Sequence, residues 1–195
     1  MRGALLLVAV LALAGCGATK TVTITNTVTT THTQTVTVTT PTTTTTSKPA
    51  SAPCAAGSLQ GSFDAVPGSE GAGQITYRLT LTNTGATPCY LSGLPQVQLL
   101  GTTGGALPTS TSAEPPVPAT APKVSLQHGG SAVTDARFSP DVNGTGDSTT
   151  SGPCQPTATV LRVTAPGGGT LDAPIQPPTS VCERGSLRFK NFAAS

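Results

Sequence analysis

The sequence contains no tryptophan, and only four phenylalanines and two tyrosines occur among its 195 residues. Proteins that bind single-stranded nucleic acid stack bases on aromatic side chains, so this scarcity argues against that class. Charged residues are also few, at 9%, and ten Lys and Arg nearly balance eight Asp and Glu. The largest basic cluster, Arg184, Arg188 and Lys190, is predicted to be the solvated face of a strand. We therefore expect no nucleic-acid partner.

Long hydrophobic runs are missing as well. The only uncharged apolar run covers residues 3–15, which is 13 residues, and it follows the basic Arg2. A transmembrane helix needs about 20 apolar residues, so the run is too short to be one. A positive start followed by a short apolar core is typical of an export signal, and residues 1–15 are predicted to be one.

The apolar run ends at Leu13, Ala14, Gly15 and Cys16. These four residues resemble the lipobox of bacterial lipoproteins. The resemblance implies cleavage before Cys16 and acylation of its thiol by fatty acids such as palmitate, which would anchor the chain to a membrane. The expected location is the outer face of the bacterial cytoplasmic membrane. The alternative is an ordinary signal peptide followed by an incidental cysteine.

Threonine dominates the segment after Cys16, occupying 18 of the 28 positions in residues 19–46. A segment this polar buries too little apolar surface to offset the entropy of ordering. Thr-rich sequence with proline is typical of an O-glycosylated stalk. Residues 16–53 are therefore predicted to be a lipidated cysteine and a disordered stalk, with a strand that pairs with a partner as the alternative.

Four cysteines remain once Cys16 is assigned to lipid: Cys54, Cys89, Cys154 and Cys182. An even number of cysteines in an exported chain predicts two disulfides, and three pairings are open. We favour Cys54 with Cys89 and Cys154 with Cys182, because each pair closes a short loop. A zinc site is disfavoured, since no CxxC spacing occurs and residues 54–195 contain one histidine.

Residues 54–195 alternate between apolar and polar positions, as expected for one β domain. In QITYRLTLTN, the apolar residues Ile75, Tyr77, Leu79 and Leu81 fall at every second place. This is typical of a half-buried antiparallel strand. Shorter alternations predict strands at 58–65, 97–100, 131–138, 160–164 and 186–192, with glycine-rich turns between them. The sequence thus predicts an all-β sandwich or barrel, with residues 106–122 and their five prolines as a long exposed loop.

Three stretches together resemble an actinobacterial family known as domain of unknown function 4232: LTNTGATPCYLSGLPQVQL, VSLQHGGSA and CQPTATVLRVTAP, followed by the late Cys182. The residues that fit the family's strand–turn–cysteine pattern are Asn83, Gly85, Pro88, Cys89, Leu91, Gly93 and Pro95. The resemblance covers about residues 54–192. It implies an immunoglobulin-like antiparallel β-sandwich with two disulfides, and it implies no activity.

Residues that commonly carry out chemistry are sparse. His128 lies in a Gly-Gly turn, away from any recognisable nucleophile motif, so no enzyme and no cofactor are predicted. In DVNGTGD, the residues Asp141, Asn143 and Asp147 place oxygens at the spacing of a weak calcium candidate. An EF-hand-type loop would then require a bidentate Glu at position 152, which is glycine. We prefer a flexible Asn-Gly turn and predict no metal.

These observations lead us to expect a lipid-anchored cell-envelope protein that displays a non-catalytic binding or adhesion module. The loops 106–122 and 141–153 are the predicted contact surface, and the expected partner is a cell-wall glycan or an envelope protein. A structural, wall-spacing lipoprotein with no specific ligand is the alternative. An envelope hydrolase is less favoured.

Overall fold

A computed structural model describes residues 52–149 and 154–195. The predicted export signal, the lipobox, Cys16 and nearly all of the Thr-rich segment lie outside these residues. No helix in the described part of the chain has the length and apolar character needed to cross a membrane.

The described residues form strands and turns, which confirms the all-β prediction. A short 3-10 turn at Ala56–Ser58 precedes the first strand. The strands are β1 Leu59–Ala65, β2 Ile75–Asn83, β3 Cys89–Ser92, β4 Gln96–Gly101, β5 Ser110–Ala113, β6 Lys123–Leu126, β7 Ser131–Phe138, β8 Ala158–Thr164, β9 Thr170–Thr179, β10 Ser186–Phe189 and β11 Ala193–Ala194. Each of the predicted alternations coincides with a strand, although β10 ends three residues earlier than predicted.

Nine strands form one mixed sheet that curves into a nearly closed barrel. The order is β4-β8-β9-β1-β2-β7-β10-β5, with β11 also paired to β7, while β3 and β6 form a separate two-stranded sheet. Two neighbouring pairs, β1 with β9 and β5 with β10, are parallel, and the other pairs are antiparallel. The expectation of a wholly antiparallel arrangement was therefore wrong, and an immunoglobulin-like sandwich is not confirmed.

The longest alternating segment of the sequence lies at the centre of this sheet. β2 pairs with β1 on one side and with β7 along eight positions on the other. Its apolar residues Tyr77, Leu79 and Leu81 are at most 1% exposed. Each such side chain contributes roughly 1.5–3 kcal/mol when fully buried. The period-two pattern thus fixes which face of β2 points to the core.

Five of the six aromatic residues lie in the core, and the sixth, Tyr90, is half-buried. The rings of Phe63 and Phe138 each lie 5.2 Å from the ring of Tyr77, and Phe189 lies 6.5 Å from Phe63. The Tyr77 hydroxyl donates a hydrogen bond to the Pro177 carbonyl at 2.8 Å, which satisfies its polar end. Burial raises the pKa of this hydroxyl.

Residues 106–122 are not a loop throughout, which corrects the sequence prediction. Ser110–Ala113 form β5, which pairs in parallel with β10 from Ser186 to Phe189. Before it, Ala106 forms an isolated bridge with Leu100. The segment lacks the apolar alternation of a half-buried strand because most of its side chains are exposed. Its hydrogen-bond partners lie far away in sequence, so local pattern does not reveal it.

The signature that carries the family resemblance has a structural role centred on Asn83. This residue is fully buried, and its amide donates to the carbonyls of Thr87 and Leu126 at 3.0 and 3.1 Å. Its Oδ1 accepts the N–H of Gly85 at 3.0 Å. A Cβ at Gly85 would lie 2.8 Å from the Ser58 Cβ, so this turn has no room for a side chain. Asn83 therefore joins the β2 turn to β6.

Both disulfides form as predicted. Cys54 is bonded to Cys89, and Cys154 is bonded to Cys182. The first links the segment before β1 to β3, and the second links the segment before β8 to the turn before β10. Loops of 35 and 28 residues are closed, which contributes roughly 3–4 kcal/mol each in the chain-entropy account.

Candidate functional site: a loop junction beside the second disulfide

Two loops meet the turn Cys182–Gly185 at one place, which we call the loop junction. It consists of that turn, residues 108–110 from the first loop and residues 144–147 from the second. Both loops belong to the contact surface that the sequence predicted, and the structure brings part of each together. Residues 150–153 of the second loop lie outside the described residues.

The turn has an unusual backbone. Glu183 and Arg184 have φ, ψ values of 54°, 43° and 58°, 39°, and Gly185 follows with φ 74°. Left-handed conformation costs a residue with a side chain roughly 1–2 kcal/mol, so two in succession are strained. Arg184 therefore lies in this turn and not on the strand face predicted from its spacing to Arg188. Both Glu183 and Arg184 expose their side chains.

Asp147 holds the turn in this conformation. Its carboxylate accepts the backbone N–H of Glu183 at 2.9 Å and that of Arg184 at 2.7 Å. It also accepts the N–H of Gly144 at 2.7 Å and the side-chain amide of Gln155 at 3.2 Å. Partial desolvation raises the pKa of Asp147, but these hydrogen bonds outweigh it and lower the pKa from 3.8 to about 2.

Glycines make the close contact possible. A Cβ at Gly144 would lie 2.8 Å from Cγ of Glu183, and one at Gly146 would lie 2.8 Å from Cδ of Arg184. A Cβ at Gly185 would overlap the carbonyl oxygen of Pro108. The glycines of NGTGD are thus packing positions against the turn, and not only the flexible turn residues that the sequence suggested.

The disulfide Cys154–Cys182 and short hydrogen bonds secure the same region. Cys182 donates its N–H to the Ser139 carbonyl at 2.8 Å. The Cys154 carbonyl accepts the hydroxyl of Ser148 at 2.6 Å. The Ser180 hydroxyl donates to the Gln155 carbonyl at 3.0 Å. The strained turn is consequently held on both sides by covalent and polar contacts.

A cavity of about 430 Å³ opens at the junction and is lined by Pro108, Thr109, Ser110, Glu183 and Arg184. It is an open depression on the surface and not an enclosed pocket. The Thr109 hydroxyl is already used, because it accepts the Leu99 N–H and donates to the Leu107 carbonyl. One acid and one base, Glu183 and Arg184, remain to recognise a ligand by charge and hydrogen bonding.

The calcium candidates take other partners. The Asn143 amide donates to the carbonyl of Thr149 at 2.9 Å. The oxygens of Asp147 face N–H groups, whose positive ends oppose a cation. Among the described residues, one cluster of potential metal ligands occurs, Asp147 with Cys154 and Cys182, and its two sulfurs form the disulfide. Asp141 does not belong to that cluster. The geometry therefore gives Asp147 the task of organising the turn.

A second cavity, of about 280 Å³, lies between the two sheets. Its wall is polar and apolar in about equal parts, with Leu81, Leu91 and Phe192 among the apolar residues and Ser92, Gln96 and Thr164 among the polar ones. It contains no charged residue, so it offers a ligand no ionic contact. His128 lies elsewhere, with its Nδ1 3.2 Å from the Gly85 carbonyl oxygen.

A family described as Domain of unknown function (DUF4232) matches residues 54–193. The chain belongs to this family. The DUF4232 region includes all four disulfide cysteines, the Asn83 turn and the loop junction. No curated protein and no solved structure matches the chain. The resemblance stated from the sequence is therefore confirmed for the DUF4232 domain, and its lipoprotein and actinobacterial aspects stay predictions.

Sequence reasoning identified the two loops but missed the turn that joins them. A left-handed Glu-Arg pair has no local signature, since neither residue favours that conformation. The sequence contains one indirect signal, the stretch CERG. There a disulfide cysteine is followed by two charged residues and then by a glycine.

Proposed function

We propose that this protein is a lipid-anchored cell-envelope protein whose DUF4232 domain is a non-catalytic binding or adhesion module, with the loop junction as its contact surface. The anchor is Cys16, on the strength of the lipobox-like Leu13, Ala14 and Gly15 before it. The Thr-rich segment would then serve as the stalk that carries the domain away from the membrane.

The observation that carries this proposal is the strained, exposed Glu183–Arg184 turn. Backbone strain persists only where surrounding contacts enforce it, and such strain concentrates at binding and catalytic sites. Here Asp147, two glycines and a disulfide all act to hold one exposed acid–base pair over a cavity. A turn with a purely connecting role would not need this reinforcement.

Binding is favoured over catalysis because of the side chains present. Besides the engaged Thr109 hydroxyl, the residues that line the junction cavity provide one hydroxyl, one carboxylate and one guanidinium, and among the described residues no hydrogen bond links that hydroxyl to the carboxylate. Nucleophilic catalysis requires a base within hydrogen-bond reach of the nucleophile. Glu183 and Arg184 instead suit a partner that presents hydroxyl, amide or charged groups, as cell-wall glycans and envelope proteins do.

Capture of purified cell-wall glycan and of envelope proteins by the full chain tests this proposal. The variant E183A/R184A removes one acid and one base from the junction, and we expect it to lose at least tenfold in affinity. The matched control is R162A/D172A, which removes an exposed ion pair whose Nε–Oδ1 distance is 2.7 Å, on strands β8 and β9. Equal capture by both variants, or no capture by the native chain, would refute the loop junction as the contact surface.

A further inference from the structure

The outward face of strands β2, β7 and β10 carries two parallel rows of side chains that run across the strands. One row alternates in charge: Lys190, Asp135, Arg78 and Asp64. The Asp135 carboxylate lies 2.8 Å from Nε of Arg78 and 3.6 Å from Nζ of Lys190. Asp64 stands opposite Arg78 on β1. Acids and cations thus alternate along this row, which we call the alternating row.

The neighbouring row, which we call the arginine row, consists of Ser112, Arg188, Arg137 and Thr76. Arg188 stands directly opposite Arg137 in the β10–β7 ladder. Ser112 is beside Arg188 on β5, and Thr76 is opposite Arg137 on β2. Both arginines are exposed, and neither takes part in the three ion pairs that the described residues form.

This pairing is unfavourable without a partner. Like charges at directly opposed positions, with Cβ atoms about 4.5–5.5 Å apart, destabilise a sheet. The neighbouring row shows that the same face places acids opposite cations elsewhere. Glu114, the acid that follows β5, lies beside Lys190 in the alternating row and not beside Arg188, because it donates its N–H to the Phe189 carbonyl. An anion between the two guanidinium groups would turn repulsion into attraction.

We propose that the arginine row binds a phosphate-bearing linear polyanion. Guanidinium groups match phosphate oxygens with two parallel hydrogen bonds, and the Ser112 and Thr76 hydroxyls can donate from either side. The row crosses four strands and is about 14 Å long, which exceeds one phosphate group. A single ion on an open sheet face is not enclosed, whereas a chain of phosphates engages several groups together.

The side chains around the arginine row disfavour a lipid membrane and a nucleic acid as the anionic partner. The exposed large apolar side chains among the described residues are Val117 and Val142, and neither lies on these strands. This face therefore has nothing to insert into a lipid bilayer. The chain has no tryptophan for stacking on bases. The proposal concerns a different surface from the loop junction and does not depend on it.

Titration of the full chain with linear polyphosphate, at low and at high salt, tests the proposal. The variant R137Q/R188Q should bind about 100-fold more weakly, roughly tenfold for each guanidinium that no longer bonds a phosphate. The control K123Q/R162Q removes the same two charges from β6 and β8 and should change affinity less than about threefold. R137K/R188K keeps the charges but loses the planar fork, and should fall between the two.

Folding and ligand class are checked in the same series. Replacing either arginine alone relieves like-charge repulsion, so R137Q and R188Q should melt at or above the native temperature.

The proposal is overturned if the two double variants lose affinity equally, or if the native chain binds polyphosphate no more tightly than about 1 mM at low salt. It is also overturned if inorganic phosphate binds as tightly as polyphosphate. Arginine-dependent binding to phosphatidylglycerol vesicles without binding to polyphosphate would overturn it too, and would assign the row to a membrane.

Discussion

Arg184 donates its backbone N–H to the carboxylate of Asp147 at 2.7 Å, although 37 residues separate them in the sequence. The same carboxylate holds the N–H of Glu183. A strained local conformation is thus stabilised by a distant side chain, which means that the turn and the loop around Asp147 form or loosen together.

Replacing Asp147 by alanine is expected to release the turn while leaving the sheet folded. The three backbone N–H groups that it accepts would lose their partner, so amide protons of Glu183 and Arg184 should exchange much faster with solvent. Hydrogen exchange followed by NMR measures this directly. D141A, which changes a nearby acid outside the junction, should leave both rates unchanged, and equal acceleration in the two variants would contradict the role of Asp147.

The contribution of Asp147 should depend on pH within a narrow acidic window. Its pKa in the folded chain is about 2, below the ordinary 3.8, so the ionised form is stabilised by folding. This stability is fully present above about pH 5 and is lost as the pH falls through 2. The difference in melting temperature between the native chain and D147N should be constant above about pH 5 and shrink toward pH 2. A difference that grows on acidification would contradict a lowered pKa of Asp147 in the folded chain.

Gly185 should tolerate no side chain. Alanine there must adopt φ 74° and overlap the Pro108 carbonyl, at a combined cost of about 2–5 kcal/mol. Gly104 provides a matched control, since it has φ 77° and no atom lies within 4 Å of the place that a Cβ would take. G104A should cost only the conformational part, about 1–2 kcal/mol. Urea unfolding of both variants measures the difference. Equal costs would mean that the Pro108 carbonyl moves aside without lowering the stability.

Asn83 is expected to be among the most sensitive polar positions of the domain. N83A leaves the buried Leu126 carbonyl without its side-chain donor, which should lower the free energy of unfolding by about 1–3 kcal/mol. The same substitution at Asn143, whose hydrogen bond to Thr149 is exposed, should cost less than about 1 kcal/mol. Chemical denaturation of the two variants checks this, and a loss below about 1 kcal/mol for N83A would contradict it.

Removing either disulfide should lower the free energy of unfolding by a similar amount, but only one of the two removals should loosen the Glu183–Arg184 turn. Removing either pair with alanine is expected to cost a similar roughly 3–4 kcal/mol, since the closed loops of 35 and 28 residues are close in length. Only C154A/C182A should also speed amide exchange at Glu183, because Cys182 precedes the turn directly. If C54A/C89A speeds amide exchange at Glu183 equally, exchange at the turn depends only on the global stability of the domain.

The parts of this fold that sequence could predict are those determined locally. The alternation from Ile75 to Leu81 places β2 correctly because side-chain direction along a strand depends only on position. The disulfide pairs followed from loop length. By contrast, β5 has exposed serines and threonines, and only its distant partner β10 makes it a strand. The left-handed Glu183 and Arg184 depend on Asp147 in the same way, so neighbouring residues contain no sign of them.

The first disulfide has a mechanical consequence for a domain held from its N-terminal side. Tension arriving through residue 52 meets the hydrogen bond from the Tyr90 N–H to the Ala52 carbonyl and then the Cys54–Cys89 bond. The load therefore passes into β3 through a covalent link, and β1 is shielded from being peeled off the barrel. Under pulling, residues 55–88 lie within the loop that this disulfide closes, so tension bypasses β1 and β2 for as long as the bond stays oxidised.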